Sequence, residues 1–282
     1  MARVFSDLSV CAYGALGHPE APFRVRDSYA RLKAAGHKLE APSVQAAAED
    51  VALLHAPGHF QTVVEGDFFD ADTPAYPDVA RIALTSLSGA LSAALCGQPA
   101  FSLMRPPGHH AGKSRVAGFC YFNNLALAVA RLQEDGKAKK VAILDVDVHH
   151  GDGTEELVLG RENVFFVSLH QVPLYPGSGL SSRGNCRNVS VAEGTGEAGY
   201  LPLVEEELTR ILAFKPDYLA VSAGFDTYKE DPIAGLKLEK GTYQRLGKLI
   251  AQTKLPRFAV LEGGYADDLP VLIEKFLGGF FS

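Results

Sequence analysis

The sequence predicts an α/β fold: a central, mostly parallel sheet flanked by helices on both faces. Three observations predict it. From about residue 80 onward, helical and strand patterns alternate along the chain. Several strand segments are near-continuous apolar runs rather than alternating ones, as expected of parallel strands covered on both faces. Titratable and Gly-rich residues fall just beyond strand after strand, where open α/β sheets place their ligand sites.

The elements follow in order. Residues 78–95 are Ala/Leu-rich, with Pro77 before and Gly97 after, and predict a helix. Residues 99–104 form a short apolar run. Residues 123–134 predict a helix through Leu125, Leu127, Ala128 and Leu132, stopping near Gly136. Residues 140–148, rich in Val and Ile, predict a strand, and residues 163–169 another. Residues 201–214 carry a helical stripe at Val204, Leu208, Ile211 and Leu212. A strand over 216–223, a helix over 242–251 and a strand over 257–261 come next. Residues 268–277 close the chain as a helix, with Asp268 expected as its cap.

Composition narrows the function. The chain has 282 residues, 47% hydrophobic and 21% charged, so a packed core is expected rather than disorder. With 27 basic and 33 acidic residues its net charge is −6, which argues against nucleic acid as a partner and is compatible with a cationic ligand. Cys11, Cys96, Cys120 and Cys186 form no C-x-x-C pair, so a zinc ribbon or disulfide framework is not expected. Asp7 interrupts any signal-peptide core and no apolar run approaches membrane-spanning length. The reading is a soluble cytoplasmic protein with no membrane partner. Without repeats, linkers or charge blocks, residues 1–282 are expected to form one domain.

The densest chemistry is Asp145-Val146-Asp147-Val148-His149-His150-Gly151-Asp152. In an extended segment Asp145, Asp147 and His149 share one face. Two carboxylates and an imidazole converging there are costly to bury unpaired, and a divalent cation resolves that cost. Asp226, after the apolar run 219–223 and Gly224-Phe225, is the best third ligand; a lone Asp in that place is ordinarily a turn or cap residue. Three ligands with an open position suit catalysis. His109 and His110 follow Pro106-Pro107-Gly108 and can serve as general base and acid around an activated water. Asp145 and Asp152 can orient the imidazoles. Tyr265, after Glu262-Gly263-Gly264, can donate to a developing oxyanion.

Together these segments resemble the histone deacetylase superfamily, including bacterial and archaeal deacetylase-like proteins and acetylpolyamine amidohydrolases. Further quoted stretches are Gly118-Phe119-Cys120-Tyr121-Phe122-Asn123-Asn124, Ser168-Leu169-His170, Tyr175-Pro176-Gly177-Ser178-Gly179 and Asp231-Pro232. His18-Pro19-Glu20 with Arg24 resembles the family's start. The likeness runs from about residue 18 to 277. It implies the arginase/deacetylase fold and zinc on Asp147, His149 and Asp226. It implies His110 as general base and acid, His109 as electrostatic partner, and Asp145 and Asp152 behind the two histidines. Tyr265 would polarise the carbonyl, with Phe119, Tyr175 and Gly118 contacting an acylated amine or acyl-lysine substrate. It extends to potassium bound through Asp145, Asp147, His149, Ser168 and Leu169.

Some relatives carry His in place of the tyrosine and deacetylate poorly; this chain keeps Tyr265, so a competent metal-dependent amidohydrolase is expected. Ile233 follows Asp231-Pro232, where one polyamine-selective subgroup has an acidic gatekeeper, so that device is not expected here. Asp70 and Asp72 read as solvated loop residues rather than substrate contacts, and Cys120 as a packing residue. Iron(II) suits the ligand set as well as zinc. Two other functions compete with this one. A non-catalytic metal-containing module would lack a ligand or the tyrosine. A dinuclear arginase-like hydrolase would need bridging carboxylates beyond Asp226.

Overall fold

The computed structural model describes residues 2–282. Its strands are β1 (Arg3–Phe5), β2 (Leu39–Glu40), β3 (Ala100–Ser102), β4 (Val141–Asp145), β5 (Val164–Gln171), β6 (Cys186–Val191), β7 (Tyr218–Ala223) and β8 (Arg257–Leu261). Its helices are α1 (Phe23–Ala34), α2 (Ala48–Val51), α3 (His59–Glu65), α4 (Val79–Leu95), α5 (Asn124–Glu134), α6 (Asp152–Val158), α7 (Glu197–Phe214), α8 (Lys240–Gln252) and α9 (Leu269–Phe280). The strands form one sheet in the order β2-β1-β3-β8-β7-β4-β5-β6, and every pairing is parallel.

The apolar runs explain the layers. In β4, Ala142 and Leu144 enter one core while Val141 and Ile143 enter the other. The same division holds in β7, where Leu219 and Val221 oppose Tyr218 and Ala220. Val25 of α1, Val204 of α7, Leu246 of α8 and Leu272 of α9 fill the first core. Leu87 of α4, Leu125 of α5 and Val158 of α6 fill the second. Burial on both faces leaves no polar side to these strands, so the period-two signal is absent and length marks them instead.

Several boundaries differ from the sequence expectation. The strand expected over 140–148 ends at Asp145, and the one expected over 163–169 runs on to Gln171. Helix α7 starts at Glu197 and carries Pro202 inside it, because buried Tyr200 anchors an extra turn. Asp268 holds the N-cap position of α9 but makes no cap bond. Its carboxylate instead accepts from the Tyr228 hydroxyl at 2.9 Å and from Lys240 Nζ at 2.7 Å. Asn123 does cap α5, accepting the Ala126 N–H at 3.1 Å.

Helices α8 and α9 approach closely at Gly247 and Gly279. A Cβ on Gly279 would lie 2.6 Å from the Lys248 nitrogen and closer still to the Gln244 carbonyl, both backbone atoms of α8. On Gly278 the nearest atom would be 3.9 Å away. Gly279→Ala is therefore expected to destabilise the protein by about 1–3 kcal/mol. Gly278→Ala, on the exposed side of the same turn, should stabilise it by about 0.4–1 kcal/mol. Urea unfolding of the two variants checks this; equal midpoints would refute the packing argument.

Candidate active site

Four adjacent strands, in the order β3, β8, β7, β4, lead into the chemistry-bearing loops from their carboxyl ends. The β4 loop is held by its own carboxylates. Asp145 Oδ1 accepts the Asp147 N–H at 3.1 Å, and Asp147 Oδ1 accepts the His149 N–H at 2.9 Å. Across the sheet, Asp147 Oδ2 accepts the Gly263 N–H at 2.7 Å and Asp226 Oδ1 accepts the Val148 N–H at 2.9 Å. Contrary to the sequence expectation, Asp145, Asp147 and His149 do not share one strand face. Val146 and Val148 do enter the core, but the ladder has ended, and the polar residues divide between two partners. Asp145 Oδ2 meets His109 Nδ1 at 3.1 Å, whereas Asp147 and His149 face Asp226.

Asp147, His149 and Asp226 each bring a donor atom within 4.8 Å of the others, and all three are buried. His149 Nδ1 lies 3.0 Å from Asp147 Oδ1 and 3.2 Å from Asp226 Oδ2. Apart from this ion-pair contact with His149, Asp226 Oδ2 is buried and accepts no backbone or side-chain hydrogen bond of good geometry. Burial and the neighbouring Asp147 push Asp226 up to about 7. Burial lowers the His149 pKa, yet its bonds to the two carboxylates carry it up to about 10. A Cβ at position 263 would stand 2.6 Å from Asp147 Oδ2, so glycine keeps this cradle open. An orphaned buried carboxylate oxygen beside a second carboxylate and an imidazole fits a divalent cation, with donor types suited to zinc.

The adjacent histidines have opposite surroundings. His109 lies between Asp145 and Asp147, its Nε2 3.7 Å from Asp147 Oδ1. Burial opposes its charge, but these carboxylates hold its pKa well above the usual histidine range. His110 is pushed down to about 3 by burial and by the charge on His109. Its Nδ1–H donates to Asp152 Oδ1 at 2.7 Å, which leaves Nε2 bare. Asp152 is kept ionised, held down to about 2 against its burial by His110 and Arg115; Arg115 Nη2 donates to its Oδ2 at 2.7 Å.

A cavity of about 270 Å³ opens at these groups. His110 and His149 line it, with Gly118, Phe119, Leu174, Tyr175, Ile233, Tyr265, Pro19 and Asp72. His109, Asp145 and Asp152 stand behind it. Phe119 meets the Tyr265 ring edge-on at 5.7 Å. Burial raises the Tyr265 phenol well above its ordinary pKa, so it stays a neutral donor. Asp72, read from sequence as a solvated loop residue, lies at the cavity; Asp70 does not line it. Ser168 is the register partner of Asp145 on β5, but its hydroxyl pairs with His170 Nδ1 at 2.9 Å, and the Leu169 side chain is core. Cys120 is buried, which pushes its thiol well above its ordinary pKa.

The histone deacetylase domain family matches residues 18–275. Acetylpolyamine amidohydrolase 1 of Pseudomonas aeruginosa is 35% identical over 264 residues, covering 86% of this chain and 74% of that protein. The acetylpolyamine amidohydrolase of Mycoplana ramosa is 38% identical over 254 residues, covering 83% and 72%. The crystal structure of an acetylpolyamine aminohydrolase from Burkholderia pseudomallei superposes with a TM-score of 0.92 at 27% identity, covering 99% of this chain and 98% of that one. The chain belongs to the histone deacetylase domain family. As a member of this deacetylase family it is a hydrolytic enzyme, in a family that is generally metal-dependent.

Three supports of this site are not marked as such in the sequence. Glu262, quoted only as part of a turn, accepts the N–H groups of Gly108 and His109 at 2.7 and 3.1 Å, and burial pushes it up to about 7. Asp231 accepts the N–H of Tyr265 at 2.8 Å and that of Ile233 at 3.1 Å, so one carboxylate ties two cavity walls together. His55 and His59 stack at 4.4 Å beneath the loop that carries Gly118 and Phe119. His55 Nδ1–H donates to the Gly112 carbonyl at 2.8 Å, and its Nε2 accepts the Asn123 N–H at 3.0 Å. The one legible signal was the i, i+4 spacing of the two histidines.

Burial and its stacked neighbour lower His55 to about 3, below the ordinary 6.5 of the unfolded chain. The unfolded state therefore takes up the proton first as pH falls. Stability from this group is present above about pH 6.5 and is lost progressively down to about pH 3. The slope is about 1.4 kcal/mol per pH unit for one such histidine. Urea midpoints between pH 7 and 4 should fall less steeply in His55→Gln than in the parent. Parallel curves would refute the assignment.

Proposed function

We propose that this chain is a zinc-dependent deacylase, working as one catalytic domain, that hydrolyses the amide of an N-acetylated aliphatic amine. The observation that carries this is the convergence, on one cavity, of a three-residue metal cradle, a neutral imidazole and a neutral phenol. Amides resist hydrolysis because resonance leaves the carbonyl poorly electrophilic. A zinc ion held by Asp147, His149 and Asp226 would supply Lewis-acid polarisation of that carbonyl and a lowered pKa for water.

The side chains then divide the work. His110 Nε2 takes the proton of the attacking water, and the same nitrogen returns a proton to the departing amine. Asp152 holds the other ring nitrogen and stabilises the imidazolium while it lasts. His109 contributes positive charge from behind, balanced by Asp145. The Tyr265 hydroxyl donates to the oxyanion as it forms. Phe119, Tyr175, Leu174 and Ile233 pack along an aliphatic stem and exclude water, with Gly118 allowing close approach.

An acidic residue, Asp72, at the cavity and the net charge of −6 favour an amine whose far end is cationic. The relatives named acetylpolyamine amidohydrolases support the same substrate class. Potassium near Asp145, Asp147, His149, Ser168 and Leu169 belongs to the same reading, as does iron(II) as an alternative to zinc. Asp231 is occupied by two backbone N–H groups, which argues against a second, bridged metal. Four free cysteines suit a reducing cytoplasm, and no described helix is long and apolar enough to cross a membrane.

The test is turnover of N-acetylputrescine and acetyl-lysine peptides by metal-stripped and zinc-restored protein, read by mass spectrometry. Zinc should restore hydrolysis, with the small cationic amine preferred. Tyr265→Phe should lower kcat by about 10²–10³-fold. His110→Ala should lower it by about 10²–10⁴-fold. Asp147→Ala should bind no zinc. Unchanged amide hydrolysis in Tyr265→Phe or Asp147→Ala would sink the mechanism. Tight zinc binding with no turnover of any acylated amine would favour a binding module.

A further inference from the structure

We propose that Glu155 and Ser178 are positioning residues for the Tyr175 wall of the cavity, acting through His150. Tyr175 projects from the loop after β5 and meets the edge of His110 at 5.1 Å and of His149 at 6.2 Å. The residue is 42% exposed, so packing covers only part of it. The loop is fastened three and four residues further on. Ser178 donates its hydroxyl hydrogen to His150 Nδ1 at 2.8 Å. His170 Nε2–H donates to the Gly179 carbonyl at 3.1 Å.

Glu155 sets the state of the first fastening. Its Oε2 accepts the Nε2–H of His150 at 3.0 Å, which leaves Nδ1 bare and able to accept from Ser178. The same Oε2 accepts from Asn188 Nδ2 at 2.6 Å, so the carboxylate is itself fixed between α6 and the edge strand β6. The His150 and His170 rings pack at 4.6 Å, and both are buried. Gly179, at φ +75°, is what lets the loop lie on them: a Cβ there would stand 2.6 Å from His150 Cγ. None of Glu155, His150, His170 and Ser178 lines the cavity. The chain Glu155–His150–Ser178 thus transmits a fixed ring orientation to a wall that would hold the stem of the substrate.

This rests on the deacylase reading for its kinetic consequence, but not for its structural one. On an N-acetylated diamine, Ser178→Ala and Glu155→Ala should raise KM by about 5–20-fold while kcat stays within about twofold, because a displaced wall weakens stem binding without touching the proton transfers. Glu155→Gln keeps an oxygen that accepts from His150 and Asn188, so it should stay within about twofold of the parent in both constants. A fall in kcat at constant KM, or Gln as damaging as Ala, overturns the proposal. Hydrogen exchange read by mass spectrometry decides independently of turnover. Peptides covering 172–180 should exchange faster in Ser178→Ala, while those covering 141–149 do not change. Unaltered exchange over 172–180 overturns the positioning role even in an enzyme that works, and a parent without turnover overturns only the deacylase reading.

Discussion

The site depends on buried carboxylates that serve as backbone acceptors at the ends of parallel strands. Past the end of β4 the Val146 N–H still bonds the Ser222 carbonyl of β7, but the buried N–H groups of Asp147, Val148 and His149 have no strand partner. Asp145, Asp147 and Asp226 take those hydrogens. The interaction works in both directions. The loop gains its hydrogen bonds, and the carboxylates gain donors that make their ionised form tolerable in the interior. It also joins β4 to β7 and β8 beyond the sheet, since Asp226 holds Val148 and Asp147 holds Gly263. One oxygen of Asp226 takes no backbone N–H and meets only the His149 imidazole, an arrangement that suits a cation between them.

The histidine pair follows from the same distribution of charge. His109 is adjacent to His110, and their rings lie 4.0 Å apart, so both cannot be charged cheaply. Asp145 and Asp147 settle which one is, because only His109 reaches both. His110 is then held neutral by burial and by its charged neighbour, with a single carboxylate, already paired to Arg115, on its far nitrogen. The neutral imidazole is the one that lines the cavity, and the charged one stands behind it. Glu262 completes the arrangement by fixing the backbone of Gly108 and His109, so the loop that bears both rings cannot slide along β8.

How much of this was legible depends on where each residue gets its constraint. Strand β8 matched its expected limits and α5 differed by its cap alone, because an apolar run or a capped stripe is written locally. Helix α1 was missed: its buried face carries Arg24 and Ser28 beside Val25 and Leu32, and that mixture hides the stripe. Strands β1 and β2, three and two residues long, are too short to show any period. In the site, the cluster of Asp147 and His149 was readable from the dense Asp/His run that follows a buried strand, and Asp226 only from the company it keeps. Asp231 and Glu262 were not, because the groups they hold at the site, the N–H of Tyr265 and those of Gly108 and His109, lie far away in sequence. Pro19, Asp72 and Ile233 reach the cavity only through the path of the chain.

That path is fixed by a second buried charge centre, and it explains how the N-terminal segment comes to shape the site. Glu20 lies buried between two guanidinium groups, with Arg24 Nη1 at 3.1 Å and Arg105 Nε at 2.7 Å. Burial alone would raise its pKa; Arg105 and Arg24 hold it below the usual carboxylate value. Arg24 continues across to Tyr265: its Nε donates to the Gly264 carbonyl at 2.8 Å, Nη2 donates to that of Glu262, and the guanidinium covers the Tyr265 ring at 4.8 Å. Arg105 stands at the exit of β3, immediately before the loop that carries His109 and His110. One carboxylate therefore couples the loop of the neutral imidazole to the loop of the phenol, and draws Pro19 to the cavity between them. A paired charge of this kind adds little net stability compared with apolar packing, but removing one partner leaves the others buried and uncompensated. What it contributes is a unique relative placement of two loops that no apolar contact would specify so narrowly, and the proposed reaction needs that placement.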